Sequence, residues 1–162
     1  MVSRARTPLA RDGPLEQLGL FNDPIFQDSF ESGDLSKWST SSSDGGNASV
    51  TSGAALVGQK GLAINVNDKA RLYVEDDTPD AEGHYRARFY LDPNSLKVER
   101  GKALTIFTAD SLETAGRPFQ LLLRRHRRQY QVRLKAAQPG AAAAKSGWLA
   151  VPDRSSSVEI EW

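Results

Sequence analysis

The amino-acid sequence predicts an all-β protein built as an antiparallel β-sandwich. Short segments in which apolar and polar residues alternate recur along most of the chain, as expected for half-buried strands. Turn-forming residues follow about every 8 to 12 positions, a spacing typical of sandwiches and barrels. No stretch shows the helical period of a long amphipathic helix. Together these three observations indicate roughly ten short strands.

Length and composition fit one ordinary globular domain. The chain has 162 residues, of which 39% are hydrophobic and 25% charged, enough for one core and too few for two large domains. The formal net charge of +1 favours no nucleic-acid partner, and no apolar run approaches the roughly 20 residues of a membrane-spanning helix. The lack of cysteine excludes disulfides, thiolate metal sites and cysteine nucleophiles.

Residues 1–23 are predicted to be a flexible N-terminal tail, and residues 24–162 the folded domain. Arg4, Arg6, Pro8 and Arg11 are scattered without a period, as is typical of loosely packed tails. Because no apolar segment follows this basic start, the chain as written shows no secretory signal.

The first half of the predicted domain consists of short strands separated by polar turns. Phe26 and Phe30 alternate with polar residues, which predicts an opening strand that ends in the turn at 31–34. The predicted elements that follow are a loop at 39–47, hairpin arms at 48–51 and 54–57, and strands at 62–67, 70–74 and 84–91.

The second half contains the clearest hairpin. Apolar residues occupy every second position of two predicted strands, 119–123 and 130–134, and residues 124–129 form the predicted turn between them. The buried positions of this hairpin are expected to be Phe119, Leu121, Leu123, Tyr130, Val132 and Leu134. Further strands are predicted at 103–108, 147–151 and 157–162, with 139–144 as a connection.

Four motifs carry a family resemblance: Phe30-Glu-Ser-Gly-Asp-Leu-Ser-Lys-Trp38, Gly61-Leu-Ala-Ile64, Tyr73-Val-Glu-Asp-Asp-Thr-Pro79 and Tyr85-Arg-Ala-Arg-Phe-Tyr-Leu-Asp-Pro-Asn94. They resemble the laminin-G-like branch of the concanavalin A-like lectin/glucanase superfamily over residues 25–162. The resemblance implies a jelly-roll sandwich of a type found in bacterial secreted proteins. It also implies carbohydrate as the ligand class and an extracellular or cell-surface location.

The chain departs from this family in length. Related domains run to about 200 residues and continue beyond the strand at 157–162, where this sequence stops at Trp162, which is predicted to face inward. The sandwich is therefore expected to be incomplete. It would be a truncated product or fragment, or a module that a partner chain completes by adding strands.

A carboxylate–glycine–carboxylate turn makes Glu31 and Asp34 candidate metal ligands. Such turns in lectin-like jelly rolls bind structural Ca²⁺, which takes oxygen ligands in a flexible shell. Two carboxylates are too few for a shell of 6 to 8 oxygens. The competing interpretation is a turn capped by its own side chains.

Four arginines form the most concentrated charge in the sequence, at a turn where related domains have glycine and serine. Arg124, Arg125, Arg127 and Arg128 flank His126, and at a hairpin tip they are predicted to bind sulfate, uronate or phosphate groups bidentately. The alternative is a solvated turn that discourages edge-to-edge aggregation.

The function predicted from these observations is a non-catalytic binding module for carbohydrate or a cell-surface ligand, with a polyanionic glycan as one partner that the arginines would suit. A glycan-cleaving enzyme of the same fold stays open as an alternative, and it would need two carboxylates across a cleft, for which Asp76, Asp77 and the segment Glu159-Ile-Glu161 are the nearest candidates. A structural or adhesive module completed by a partner chain is the third class. Trp38, Trp148 and Trp162 are predicted to pack in the core rather than to stack on sugars.

Overall fold

The computed structural model describes residues 2–3, 24–78, 85–110, 119–138 and 140–161. It confirms the predicted all-β, antiparallel class, consistent with a β-sandwich. Within the described ranges no helix is longer than three residues, and none is long and apolar enough to cross a membrane. The described residues form twelve strands: β1 (Val2–Ser3), β2 (Thr40–Ser42), β3 (Ala48–Thr51), β4 (Gly61–Ile64), β5 (Tyr73–Glu75), β6 (Arg86–Leu91), β7 (Leu104–Ala109), β8 (Phe119–His126), β9 (Gln129–Gln138), β10 (Ala141–Lys145), β11 (Leu149–Val151) and β12 (Ser156–Glu161).

Residues 90–158 form one compact unit, organised around a five-stranded sheet. The strand order is β10-β9-β8-β7, and β11 also pairs with β9. The alternation predicted for the central hairpin is confirmed, because Phe119, Leu121 and Leu123 of β8 are buried on the same face as Tyr130 and Val132 of β9.

The turn of this hairpin is shorter than predicted. Pairing continues through Arg124↔Gln131, Arg125↔Tyr130 and His126↔Gln129, so two arginines that were expected in the turn belong to β8. The turn itself is Arg127 and Arg128, with φ of 50° and 68°. A two-residue loop with both residues at positive φ suits the right-handed twist of paired strands, which is why the ladder extends this far.

The alanine-rich segment predicted as a connection is a strand. Ala141–Lys145 pairs with the end of β9, with Ala144 opposite Ala136 and Lys145 opposite Lys135, and the register shifts between Ala141 and Ala144. The ten-residue β9 pairs with β8 along one edge, and its other edge pairs with β10 and β11. Pairing with this second edge outweighs the weak strand propensity of alanine.

The other compact unit contains the described residues before 90 and those from 159. Its two small sheets pair β3 with β4 and β2 with β5. The predicted hairpin between 48–51 and 54–57 is wrong. β3 pairs with β4 instead, and a 3-10 turn at Ser52–Ala54 follows β3 directly. Gly61 permits this pairing, since a Cβ there would clash with the carbonyl oxygen of Ala54.

The predicted opening strand is also corrected. Residues 24–39 form bends and turns without a strand, and Phe30 takes a φ of 62°. The carboxylate of Asp28, which is 0% exposed, accepts a hydrogen bond from the backbone nitrogen of Phe30 at 2.9 Å. A side-chain bond to the backbone two residues on is an Asx turn, which competes with strand geometry.

A further sheet has the order β1-β6-β12. The predicted faces of β6 are confirmed, since Ala87 and Phe89 are buried. Ile160 of β12 is buried too. The prediction of an N-terminal tail falls mainly on residues outside the described ranges, as does the inward Trp162. The jelly-roll topology and the completion by a partner chain stay predictions.

Candidate anion-binding site

The four arginines predicted as ligand-binding residues do not form one cluster. Arg124 points to the sheet face opposite the buried leucines and contacts Trp148, with 3.9 Å between the guanidinium carbon and the ring centroid. Its Nε donates to Oε1 of Gln131 at 2.9 Å. Arg133 lies over the same ring at 4.5 Å. Arg124 is thus held by partners within the sheet.

These contacts correct the core prediction for Trp148. Leu149 pairs with Val132, so the preceding residue Trp148 lies on the other face of the sheet, half-buried against two guanidinium groups. Trp38 packs as expected, with its ring 4.6 Å from that of Phe26 and its Nε1 donating to Asp28 at 2.8 Å.

The other three arginines line a cavity of about 590 Å³, here called the basic groove. The groove is lined by Val98, Arg100, Arg125, His126, Arg127 and Arg128. It contains no carboxylate among its lining residues, and within the described part of the chain its four arginines form no salt bridge. The Arg125 guanidinium lies 5.5 Å from the Tyr130 ring, and its Nε is buried without a hydrogen-bond partner among the described residues.

Arg100 is the residue that the sequence prediction missed. It lies 24 positions before Arg124 in a loop between β6 and β7, and nothing in the local sequence couples it to the hairpin. Two contacts place that loop: the Tyr130 hydroxyl donates to the carbonyl of Leu96 at 2.7 Å, and Ser95 donates to Asp153 through its backbone nitrogen at 2.8 Å and its hydroxyl at 3.1 Å.

Burial keeps the Tyr130 hydroxyl protonated, so that it can donate a hydrogen bond. Burial of the Tyr130 side chain, together with the charge of Asp153, raises the pKa of the phenol, so it stays neutral and donates. The Tyr130–Leu96 bond thereby holds one wall of the groove against the hairpin.

A second cavity, of about 330 Å³, adjoins the basic groove at Arg128, which lines both. We call it the polar–apolar cavity. Its lining residues are Arg128, Gln129, Tyr130, Ala150, Val151, Pro152 and Asp153. Arg128, Gln129 and Asp153 are its charged and amide residues, Tyr130 adds an aromatic ring, and Ala150, Val151 and Pro152 form its apolar side.

The candidate metal ligand Glu31 supports a distant turn. Its Oε1 accepts hydrogen bonds from the backbone nitrogens of Gln59 at 2.8 Å and Lys60 at 3.2 Å. Gly58 has a φ of 86°, and a Cβ there would clash with the same oxygen. This carboxylate therefore fixes the backbone before β4.

Asp34 caps its own turn. Its Oδ1 accepts from the Ser36 hydroxyl at 2.7 Å, from the Ser36 backbone nitrogen at 3.1 Å and from the Ser32 hydroxyl at 3.2 Å. The Ser36 hydroxyl bond is the main cause that lowers the pKa of this exposed carboxyl, followed by the backbone bond.

Both candidate calcium ligands accept hydrogen bonds from other groups of the protein. Each residue has one oxygen committed to hydrogen-bond donors, and across the described ranges no group of three or more His, Asp or Glu side chains is placed to hold a metal ion. Asp34 matches the alternative of a turn capped by its own side chains, whereas Glu31 bonds the backbone of a different turn. Ca²⁺ binding stays a prediction.

The carboxylates considered for catalysis also have partners. Glu159 bonds the Arg86 guanidinium, with 2.9 Å from Nε, and lies 3.9 Å from Nε of Arg88. Asp76 accepts from the Thr78 hydroxyl at 3.0 Å. The bond at Asp77 is made by its backbone nitrogen, which donates to the Ser39 hydroxyl at 3.2 Å, and not by its carboxylate. These contacts connect strands and close a turn.

Comparisons of the chain with protein-family models, with curated proteins and with solved structures give no match. The resemblance to laminin-G-like domains accordingly stays a prediction from the sequence motifs.

Proposed function

We propose that this protein is a non-catalytic β-sandwich binding module whose basic groove binds a polyanionic ligand, with acidic carbohydrate as the ligand class. The observation that carries the proposal is the groove itself, in which Arg100, Arg125, Arg127 and Arg128 line one cavity with His126 and no carboxylate.

The charge is local rather than global. With a net charge of +1 for the whole chain, a general attraction to anions is weak, whereas four guanidinium groups around one cavity concentrate positive potential at a single place. Guanidinium groups bind sulfate, carboxylate and phosphate oxygens through paired hydrogen bonds, which adds geometric selectivity.

The residues of the hairpin turn, Arg127 and Arg128, support a role in binding as well as in folding. Arg127 and Arg128 both have positive φ, a region that costs a residue with a Cβ about 1 kcal/mol or more and that glycine or asparagine occupies readily. Arginine is therefore a costly choice for the backbone here, and the side chains it contributes line the groove. Strained residues of this kind concentrate at functional sites.

The carbohydrate class comes from the lectin-like resemblance. Recognition is ionic rather than based on stacking at Trp148, because two guanidinium groups already lie against that ring. Sulfate or uronate groups on a glycan would take the groove arginines as partners.

Retention on heparin resin tests the proposal. Arg125→Gln combined with Arg127→Gln removes two groove charges while keeping side chains of similar length. We expect elution at clearly lower salt and a loss of affinity of about tenfold for each lost charged contact.

The matched control is Lys135→Gln with Lys145→Gln, which removes two charges from paired residues of β9 and β10. Lys135 is six residues along β9 from Gln129, about 20 Å from the turn. Arg100→Gln, outside the sheet, repeats the test without touching a strand. Equal retention of the unmodified protein and both groove variants would contradict the proposal.

A further inference from the structure

We propose that the polar–apolar cavity binds an uncharged, hydroxyl-bearing part of the same ligand. The ligand is then a glycan in which a residue carrying an anionic group is followed by a residue with free hydroxyls. This inference rests on the proposed function, because the basic groove must hold the anionic part.

The two cavities are placed to share one ligand. Arg128 lines both, and the pairs His126↔Gln129 and Arg125↔Tyr130 put the lining residues of the two cavities on neighbouring strands. Volumes of about 330 and 590 Å³ each fall within the range of small-ligand sites, about 300–1,000 Å³.

The polar groups of the polar–apolar cavity suit hydroxyls. Asp153 is fixed by its two bonds from Ser95, one to each carboxylate oxygen, and each oxygen retains a further acceptor position. The exposed Gln129 side chain offers both a donor and an acceptor. A sugar hydroxyl donates and accepts, so it can use both groups.

The same residues disfavour a second anionic group. The negative charge of Asp153 opposes the attraction of Arg128 for sulfate or phosphate at this position, while Ala150, Val151 and Pro152 provide an apolar wall for the C–H face of a sugar. A uniformly charged chain such as polyphosphate therefore gains less here than in the basic groove, which four arginines and no carboxylate line.

Binding of two probes to three proteins tests the inference. The probes are a κ-carrageenan hexasaccharide, in which sulfated residues alternate with unsulfated ones, and inorganic polyphosphate. The proteins are the unmodified chain, Asp153→Asn and Gln129→Ala, with Lys135→Gln/Lys145→Gln as the control for general charge effects.

We expect both variants to bind the hexasaccharide about tenfold more weakly. Gln129→Ala, which removes no groove residue, should bind polyphosphate unchanged. Asp153→Asn removes a repelling charge but also weakens the Ser95 bonds that place the Arg100 loop, so it should lose clearly less affinity for polyphosphate than for the hexasaccharide. Equal changes for both probes, or unchanged hexasaccharide binding in both variants, overturn the hydroxyl site and leave the basic groove in place. An unmodified protein that binds neither probe overturns the proposed function as well.

Discussion

The carboxylates of residues 28–34 and the arginines of the basic groove are both dense charge clusters, yet the molecule uses them differently. Asp28, Glu31 and Asp34 each accept hydrogen bonds from named groups of their own unit. The groove arginines have no carboxylate partner in the described ranges, and Arg125 has a buried nitrogen with no acceptor. Charges bonded internally hold the backbone, whereas charges left without partners are available to a ligand.

The largest effect is expected at Asp28, whose carboxylate accepts from Phe30 and Trp38 while fully buried. Asp28→Asn keeps the shape of the side chain, but its amide nitrogen would face either the Phe30 nitrogen or Trp38 Nε1, both of which are donors. The loss of stability should be about 3 kcal/mol, or about 6–12 °C in thermal unfolding.

The exposed Asp34 provides the control for that measurement. Asp34→Asn should change the unfolding temperature far less, because solvent replaces the lost bonds. If Asp28→Asn unfolded at the temperature of the unmodified protein, the assignment of the carboxylate cluster to structural support would be wrong.

An opposite effect is expected in the hairpin turn. Asparagine and glycine adopt positive φ at a lower energetic cost than arginine. Arg127→Asn with Arg128→Gly should therefore stabilise the protein by about 1–2 kcal/mol, while its retention on heparin resin weakens. Arg127→Lys with Arg128→Lys keeps the charge and the strain and should leave stability unchanged. A destabilised Asn–Gly variant would show that the arginines stabilise the turn.

The smallest effect concerns pH at Asp34. Because hydrogen bonds lower the folded-state pKa of this carboxyl, its stabilising contribution is complete above the unfolded-state pKa and is lost as pH falls through the folded value. Comparison with Asp34→Asn between pH 6 and pH 2 should show a slightly steeper acid loss in the unmodified protein, and parallel curves would contradict it.

Calcium can be added in the same experiment. A rise of the unfolding temperature in millimolar Ca²⁺ that both Glu31→Gln and Asp34→Asn abolish would support the calcium prediction. The bonds already made by these carboxylates lead us to expect no rise.

Sequence periodicity predicted the regions where packing sets the structure. In β6, β8 and β9 the apolar residues recur at every second position, and the structure buries most of them as expected, while Leu91 and Leu134 are half-buried. The same reasoning predicted a strand within residues 24–39, and this prediction was wrong. Asp28 accepts a hydrogen bond from the backbone of Phe30, and the alternation of apolar residues carries no information about such a bond.

The candidate site shows the same division. The sequence by itself determined the all-β class, the buried face of the central hairpin and the presence of four arginines within residues 124–128. Only the tertiary structure decided that Arg124 turns to Trp148, that Arg100 joins the groove and that Asp153 lies in the adjoining cavity. The physical reason is that alternation and charge density are local properties of the chain. Which residues meet in a site depends on strand register and on hydrogen bonds that anchor loops to residues far away in the sequence.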